Sequence, residues 1–183
     1  IMTSSGEIEV NDVVIASGAW TPALAKQLGL SLPIQPGKGY TITLERRDDA
    51  PRVPLIFKEP SVAVTPWRSG LRIGSTMEFV GYDRTLNPAR LEAIRGGARA
   101  FMHTAIDHGQ QEEWYGWRPM TPDDLPAIGA APRYRNVTIA AGHGMLGVSM
   151  STGTAELVSA LVCGAAPPLD PTPYSPLRFR SFS

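Results

Sequence analysis

Gly142-His143-Gly144-Met145-Leu146-Gly147 reads G-x-G-x-x-G and constrains this chain more than any other stretch. An apolar run, Val137 to Ala141, precedes it, and a helical pattern follows to about Cys163. Strand, glycine turn and helix in that order form the context a dinucleotide fingerprint requires. A complete unit also needs a βαβ crossover of roughly 30 residues and an acidic residue about 20 residues further on. Here the helical pattern runs out into Gly164 and then Pro167, Pro168, Pro171, Pro173 and Pro176. A nicotinamide-binding protein is therefore a weak reading. The hexapeptide is either a ligand-free corner or a turn that applies close backbone approach and a helix N-terminus to another part of a ligand. Ser149, Ser151, Thr152 and Thr154 either add donors there or cap locally.

A length of 183 residues suits one domain or two small ones with a sizeable core. The 17 basic and 17 acidic residues cancel and form no block, which argues against nucleic acid or an anionic membrane as the main partner. Fourteen of the basic residues are arginine, so guanidinium forks are available for carboxylates. The single cysteine, Cys163, excludes an internal disulfide and a cysteine-cluster metal site, and its place in an apolar helical run predicts a buried thiol. The three histidines show no metal-ligand spacing, so no metal is expected. No apolar run approaches the ~20 residues of a membrane span. The N-terminus lacks the form of a signal peptide, and a reducing cytoplasmic setting is expected.

Along the chain, Glu7–Val10 and Val13–Ser17 read as strands about an Asn11-Asp12 turn. Thr21-Pro22 then reads as an N-cap and first helical residue, with Ala23, Leu24, Leu28 and Leu30 as the apolar stripe of a helix ending at Gly29. Pro33 to Gly39 reads as a linker. Beyond it Tyr40, Ile42 and Leu44 alternate with Thr41, Thr43 and Glu45, a half-buried strand. Further strands are expected at Leu55–Phe57, Ser61–Thr65, Gly70–Thr76 and Glu78–Gly81, with a turn at Arg68-Ser69-Gly70. Asn87-Pro88 opens a helix whose apolar face is Leu91, Ile94, Ala98, Phe101 and Ala105; Gly96-Gly97 weakens it and Gly109 ends it. A strand at Trp114–Arg118 leads through a proline-rich loop to the glycine turn. The expected organisation is α/β plus α+β, an antiparallel sheet with one helix lying between two α/β end pieces that look incomplete by themselves.

Arg118, set among Trp114, Tyr115 and Trp117, is either a carboxylate fork in a partly dry pocket or a surface arginine stacked on tryptophan. His143 reads as a structural histidine or a catalytic base. His103 and His108 fall in the predicted helix. Asp123 and Asp124 suit turn and cap bonds better than acid–base chemistry. Tyr40 is core by default.

Five ordered motifs carry a resemblance. They are Val14-Ile15-Ala16-Ser17-Gly18-Ala19-Trp20, Pro36-Gly37-Lys38-Gly39-Tyr40-Thr41-Ile42-Thr43, Leu71 to Glu78, Gly116-Trp117-Arg118-Pro119-Met120-Thr121-Pro122-Asp123, and the Gly142–Gly147 turn. Together they resemble the FAD-dependent amino-acid oxidoreductases of the D-amino-acid oxidase superfamily, closest to its bacterial D-amino-acid dehydrogenase branch. The resemblance implies the C-terminal portion of a two-domain flavoprotein, with an antiparallel-sheet substrate domain inserted in part of an FAD-binding domain. Residues 1–38 and 114–183 would belong to the FAD-binding domain and 39–113 to the substrate domain.

The same resemblance implies that Gly18, Ala19 and Trp20 pass close to FAD and that Gly142, His143, Gly144, Met145, Leu146 and Gly147 meet its ring. Arg118 would bind the substrate carboxylate, with Tyr40 in the substrate site. It implies hydride transfer from the Cα of a D-amino acid or related amine to flavin N5, with no protein base assigned. The partners implied are that substrate, an N-terminal half carrying the dinucleotide fingerprint, and an acceptor such as oxygen or a membrane quinone. The full protein would be cytoplasmic or peripheral to the inner membrane, and this stretch alone inactive. Ala63 stands where related oxidases often carry tyrosine, and Met145 where some carry arginine. Both differences favour the dehydrogenase branch over glycine- or sarcosine-type oxidases, and a glycine-, sarcosine- or D-hydroxyproline-type amine oxidoreductase stands as an alternative. The remaining alternative is a non-catalytic domain without FAD.

Overall fold

A computed structural model describes residues 1–103, 106, 109 and 111–182. In chain order its elements are β1 (Met2–Thr3), β2 (Gly6–Glu7), β3 (Val13–Ile15), α1 (Thr21–Gln27), β4 (Gln35–Leu44), β5 (Leu55–Phe57), β6 (Val62–Pro66) and β7 (Leu71–Glu78). Then follow α2 (Pro88–Arg99), β8 (Gln111–Met120), β9 (Ala127–Ala130), β10 (Val137–Ala141) and α3 (Ser151–Cys163). Short 3-10 turns cover Gly18–Trp20, Thr172–Tyr174 and Pro176–Phe182. The chain divides into two compact units, one formed by Ile1–Pro36 with Arg118–Ser183 and the other by Gly37–Trp117.

In the first unit the two ends of the chain share one sheet, ordered β3-β10-β9. β10 pairs parallel with β3, Ile139 opposite Ile15, and antiparallel with β9, Ile139 opposite Gly129. β10 is buried along its whole length, so it reads as a continuous apolar run rather than an alternating one. Ile15, Ala25, Leu30, Leu32, Ile34, Ile139 and Phe179 close the core, and α3 packs on β9 and β10. The proline-rich tail is held by Arg178. Its guanidinium donates to both Asp123 oxygens (2.7 and 3.1 Å) and to the carbonyls of Leu125, Tyr174 and Ser175.

In the second unit the sheet order is β5-β6-β7-β4-β8. Alternation in β4 puts Lys38, Tyr40, Ile42 and Leu44 on one buried face, where Tyr40, Ile42 and Leu44 pack with Ile73, Val62, Val64 and, from α2, Leu91 and Ile94. Complete burial of such an aliphatic side chain contributes about 1.5–3 kcal/mol. The start of α2 follows its local sequence: the Asn87 side chain accepts from the Ala89 and Arg90 amides, and Pro88 occupies the first turn.

One irregularity sets which side chains face this core. Tyr40 pairs with Ser75 but Gly39 pairs with Met77, so Thr76 is an extra residue in β7. It adopts φ 55°, a left-handed conformation that costs a β-branched residue about 1–3 kcal/mol. The bulge changes the phase of the strand and brings Glu78, rather than Met77, opposite Lys38 on the inner face. There Glu78 accepts from the Tyr40 hydroxyl and, at 3.2 Å, from Arg90 Nε.

Several sequence expectations change in three dimensions. Of Glu7–Val10 only Glu7 is in a strand, paired with Met2, while Ile8 and Val10 are exposed. The chain enters α1 through the Gly18–Trp20 turn, so Trp20 is the N-cap and Thr21 lies inside the helix, its hydroxyl 3.1 Å from that of Ser17. α1 buries Ala25, whereas Ala23 and Leu24 face outward. The expected linker is mostly strand, because Gly37, Lys38 and Gly39 are buried in β4. Gly70–Thr76 and Glu78–Gly81 are not two strands: one bulged strand ends at Glu78. β9 has no counterpart among the expectations, since its four residues show no period.

α2 ends at Arg99, so Phe101 stacks on Phe57 from beyond the helix, and Ala105 and His108 lie outside the described residues. α3 begins at Ser151, beyond Gly147. Cys163 is exposed at the end of α3, a helix in which Leu157 alone is fully buried.

The paired glycines of α2 differ in their surroundings. A Cβ on Gly97 would stand 2.8 Å from Val62 Cγ2 and from Pro60 Cβ, whereas one on Gly96 would meet nothing within 4 Å. Gly96→Ala is expected to stabilise by up to about 1 kcal/mol through helix propensity. Gly97→Ala is expected to lose about 1–3 kcal/mol to overpacking despite the same propensity gain. Denaturant melts of the two variants check this, and equal shifts would contradict it.

Candidate functional site

Three segments of the first unit supply the candidate residues: the turn after β3, the end of β8 and the glycine turn after β10. Gly142 follows the buried β10 with φ 86°, and a Cβ there would stand 2.7 Å from Thr121 Cγ2. Conformation and space both require glycine at this position. Gly144 has φ 55°, and its amide donates to the Pro119 carbonyl at 3.0 Å. That bond ties the turn to the residue next to Arg118. Past the bend the chain turns its apolar side chains outward: Met145 and Leu146 are exposed, and Val148 is 92% exposed. Thr121 lies buried beneath Gly142 with no hydrogen-bond partner for its hydroxyl among the described residues.

Arg118 is half-buried. Burial lowers its pKa from the ordinary arginine value, and among the described residues no carboxylate or other hydrogen-bonding group answers its charge. Arg178 and Arg90, by contrast, are paired with Asp123 and Glu78. The stacking of an arginine on a tryptophan is made elsewhere, by Arg72 over the Trp67 ring at 3.8 Å. A half-buried cation without a counter-ion is unfavourable in isolation and gains from a bound anion.

His143 is half-buried and hydrogen-bonded to Thr154 Oγ1 at 2.9 Å, which joins the turn to the first part of α3. Asp123 makes the expected turn bond, accepting from the Leu125 amide, and is held below the ordinary carboxylate range chiefly by Arg178. In the turn after β3, Gly18 has φ 56°, Ala19 is buried and Trp20 is exposed. Tyr40 belongs to the second unit, fully buried in its core with its hydroxyl donating to Glu78. Burial first, and then that hydrogen bond, raise its pKa. Sequence reasoning missed the Arg178 clamp on Asp123 and the pairing of Lys38 with Asp83 at 2.7 Å. Both join residues far apart in the chain that carry no local signature.

Burial of His143 favours its neutral form and lowers its pKa below the usual 6.5. A depressed histidine pKa means the unfolded chain protonates first, so its contribution to stability is complete above pH 6.5 and declines as pH falls through the unfolded value towards the folded one. His143→Gln is expected to flatten the stability–pH slope just below pH 6.5. An NMR titration placing His143 at or above 6.5 would contradict this.

The FAD dependent oxidoreductase family model, DAO, matches residues 1–161. D-amino acid dehydrogenases of Chromohalobacter salexigens and Paramagnetospirillum magneticum are 38% and 40% identical to this chain. The alignments cover 93% and 90% of the chain but 41% and 39% of those proteins. The chain thus spans about 40% of the length of the curated relatives it matches. Among solved structures, glycine oxidase from Geobacillus kaustophilus superposes with TM-score 0.88 at 30% identity, over 95% of this chain and 47% of that one. L-proline dehydrogenase from P. horikoshii gives 0.86 at 27% identity, over the whole of this chain and 50% of that one. Among the described residues no helix is long and apolar enough to cross a membrane. With the family model spanning most of the chain and two such structures sharing its mixed α/β fold, this chain belongs to the DAO family of FAD-dependent oxidoreductases.

Proposed function

We propose that these residues form the carboxylate-binding and ring-facing part of an FAD-dependent dehydrogenase of D-amino acids. The observation that carries this reading is Arg118, half-buried and without a counter-ion among the described residues, beside the carbonyl that anchors the glycine turn. A carboxylate matches a guanidinium fork bidentately, and an amino acid supplies one next to its Cα. The D-amino acid dehydrogenases at 38% and 40% identity support the substrate class.

On this reading, residues 1–38 and 114–183 are the C-terminal part of an FAD-binding domain, and 39–113 are an inserted substrate domain. The division into two compact units supports it, as does β3, which stands at the edge of its sheet with Val14 exposed. Further strands and the dinucleotide fingerprint would come from an N-terminal half. The chain's own residues suit a flat cofactor ring. Gly142 and Gly144 present backbone without side chains, and Met145, Leu146 and Val148 offer uncovered apolar surface. Around Gly18 there is open space, with no atom within 4 Å of where a Cβ would stand. Gly18, Ala19 and Trp20, together with residues 142–147, would hold the cofactor.

A bound FAD would supply the hydride acceptor for oxidation of the substrate at Cα, giving an imino acid that water would hydrolyse to the keto acid. Arg118 fixes the carboxylate so that the Cα–H direction is set, an orientation effect of several kcal/mol. The turn backbone, with α3 starting beyond it at Ser151, contributes fixed dipoles. With the amine bound neutral no protein base is required, and none is assigned. Tyr40, expected in the substrate site, is fully buried with its hydroxyl donating to Glu78, so no contact with substrate is assigned to it. Oxygen or a membrane quinone would serve as acceptor, and with a quinone the full protein would work at the periphery of the inner membrane. The solved glycine oxidase at 30% identity favours glycine or sarcosine as the second reading, and Ala63 and Met145 argue for the first.

The test uses the full-length flavoprotein. Arg118→Ala is expected to remove about 2–5 kcal/mol, the cost of deleting one partner of a buried charge pair. That corresponds to a loss of roughly 30- to 5000-fold in kcat/KM on D-alanine. A change within about twofold would overturn the assignment, and faster turnover of glycine or sarcosine than of D-alanine would favour the second reading.

A further inference from the structure

Lys38 is the one lysine with no exposed side-chain surface in the described structure. Its ammonium donates to Asp83 Oδ2 at 2.7 Å and to the Thr85 carbonyl. It lies 5.3 Å from the centre of the Tyr40 ring and 4.9 Å from that of Tyr115. Asp83 is itself braced by Thr85, through the amide at 3.3 Å and the hydroxyl at 2.8 Å. One buried cation therefore ties the segment between β7 and α2 to the sheet.

That segment carries Tyr82, which stands edge-on to Trp117 with ring centres 5.8 Å apart. Tyr115, on which the ammonium also rests, stands edge-on to Trp117 from within β8 at 5.5 Å. Two aromatic neighbours of Trp117 thus trace back to Lys38, one through Asp83 and the other directly. Trp117 is the residue before Arg118. For holding a sheet together alone, an apolar side chain of similar size does as well as a buried ion pair, often better. What a charge with four fixed neighbours adds is a single geometry.

We propose that Lys38 is a positioning residue for the carboxylate anchor. By holding Tyr82 and Tyr115 against Trp117 it fixes the stretch of β8 from which Arg118 projects. The inference rests on the reading of Arg118 as the group that binds the substrate carboxylate.

The experiment compares Lys38→Met, Arg118→Ala and the double variant in the full-length flavoprotein. It reads KM and kcat on D-alanine, and the affinity for propionate, a carboxylate with no amine to oxidise, by calorimetry. Lys38→Met is expected to weaken propionate binding and raise KM by ~10-fold, as misplacement of a binding group does, with kcat within about threefold. In the double variant propionate should bind no more weakly than in Arg118→Ala alone, because Lys38 acts through Arg118. Unchanged propionate affinity in Lys38→Met, or losses that multiply in the double variant, would overturn the proposal. If Arg118→Ala itself left propionate affinity intact, the anchor assignment would fail first and the positioning role with it. Should Lys38→Met not fold, Tyr82→Leu removes one support of Trp117 at an exposed position and must show the same rise in KM; a wild-type KM there overturns the proposal.

Discussion

A lysine ammonium taken out of water carries a large desolvation cost, and the second unit is organised around meeting it at Lys38. Burial works to lower the Lys38 pKa; the bonds to Asp83 and Tyr40 outweigh it, and the net position lies above the ordinary lysine value. Asp83 moves the other way, down to about 2, chiefly through the Lys38 bond. Its carboxylate therefore contributes to stability above the unfolded value and loses that contribution only as pH falls to about 2. The pair stays charged throughout the range in which an enzyme works. The segment after β7, the Tyr40 and Tyr115 rings and the first residues of β4 all take their places around that charge.

The bulge at Thr76 belongs to the same arrangement. A regular strand would carry Met77 to the inner face; the extra residue carries Glu78 there instead, within reach of Tyr40, Asn87 and Arg90. Tyr40, the Glu78 carboxylate and the N-cap of α2 are thereby connected. The Tyr40 bond, first among its causes, keeps Glu78 below the ordinary glutamate value. Local strain at one threonine is offset by a buried polar chain that joins β4, β7 and α2.

The first unit is held by backbone rather than by buried charge. Gly142 admits Thr121 beneath it, and Gly144 bonds to Pro119, so the glycine turn is tied to the end of β8 at two points. Arg178 then fastens the proline-rich tail to Asp123 and the loop that follows. Arg118 presents a charge that no carboxylate among the described residues answers, and the turn tied to its neighbour Pro119 leaves apolar side chains uncovered.

Much of this was legible in the chain itself wherever the physics is local. The alternation of Tyr40, Ile42 and Leu44, the Asn87-Pro88 start of α2, the turn before Leu71 and the apolar run of β10 each follow from period or turn chemistry within a few residues. The glycine turn, Arg118 and the motifs that mark the DAO family were equally visible. Only the tertiary structure paired β3 with β10 and so joined two end pieces that look incomplete into one sheet. It alone seated Lys38 on Asp83, turned the expected linker into strand, and left Cys163 exposed. Those outcomes depend on groups distant in the chain, whose meeting is decided by burial and charge neutralisation across the fold and leaves no periodic trace in the sequence.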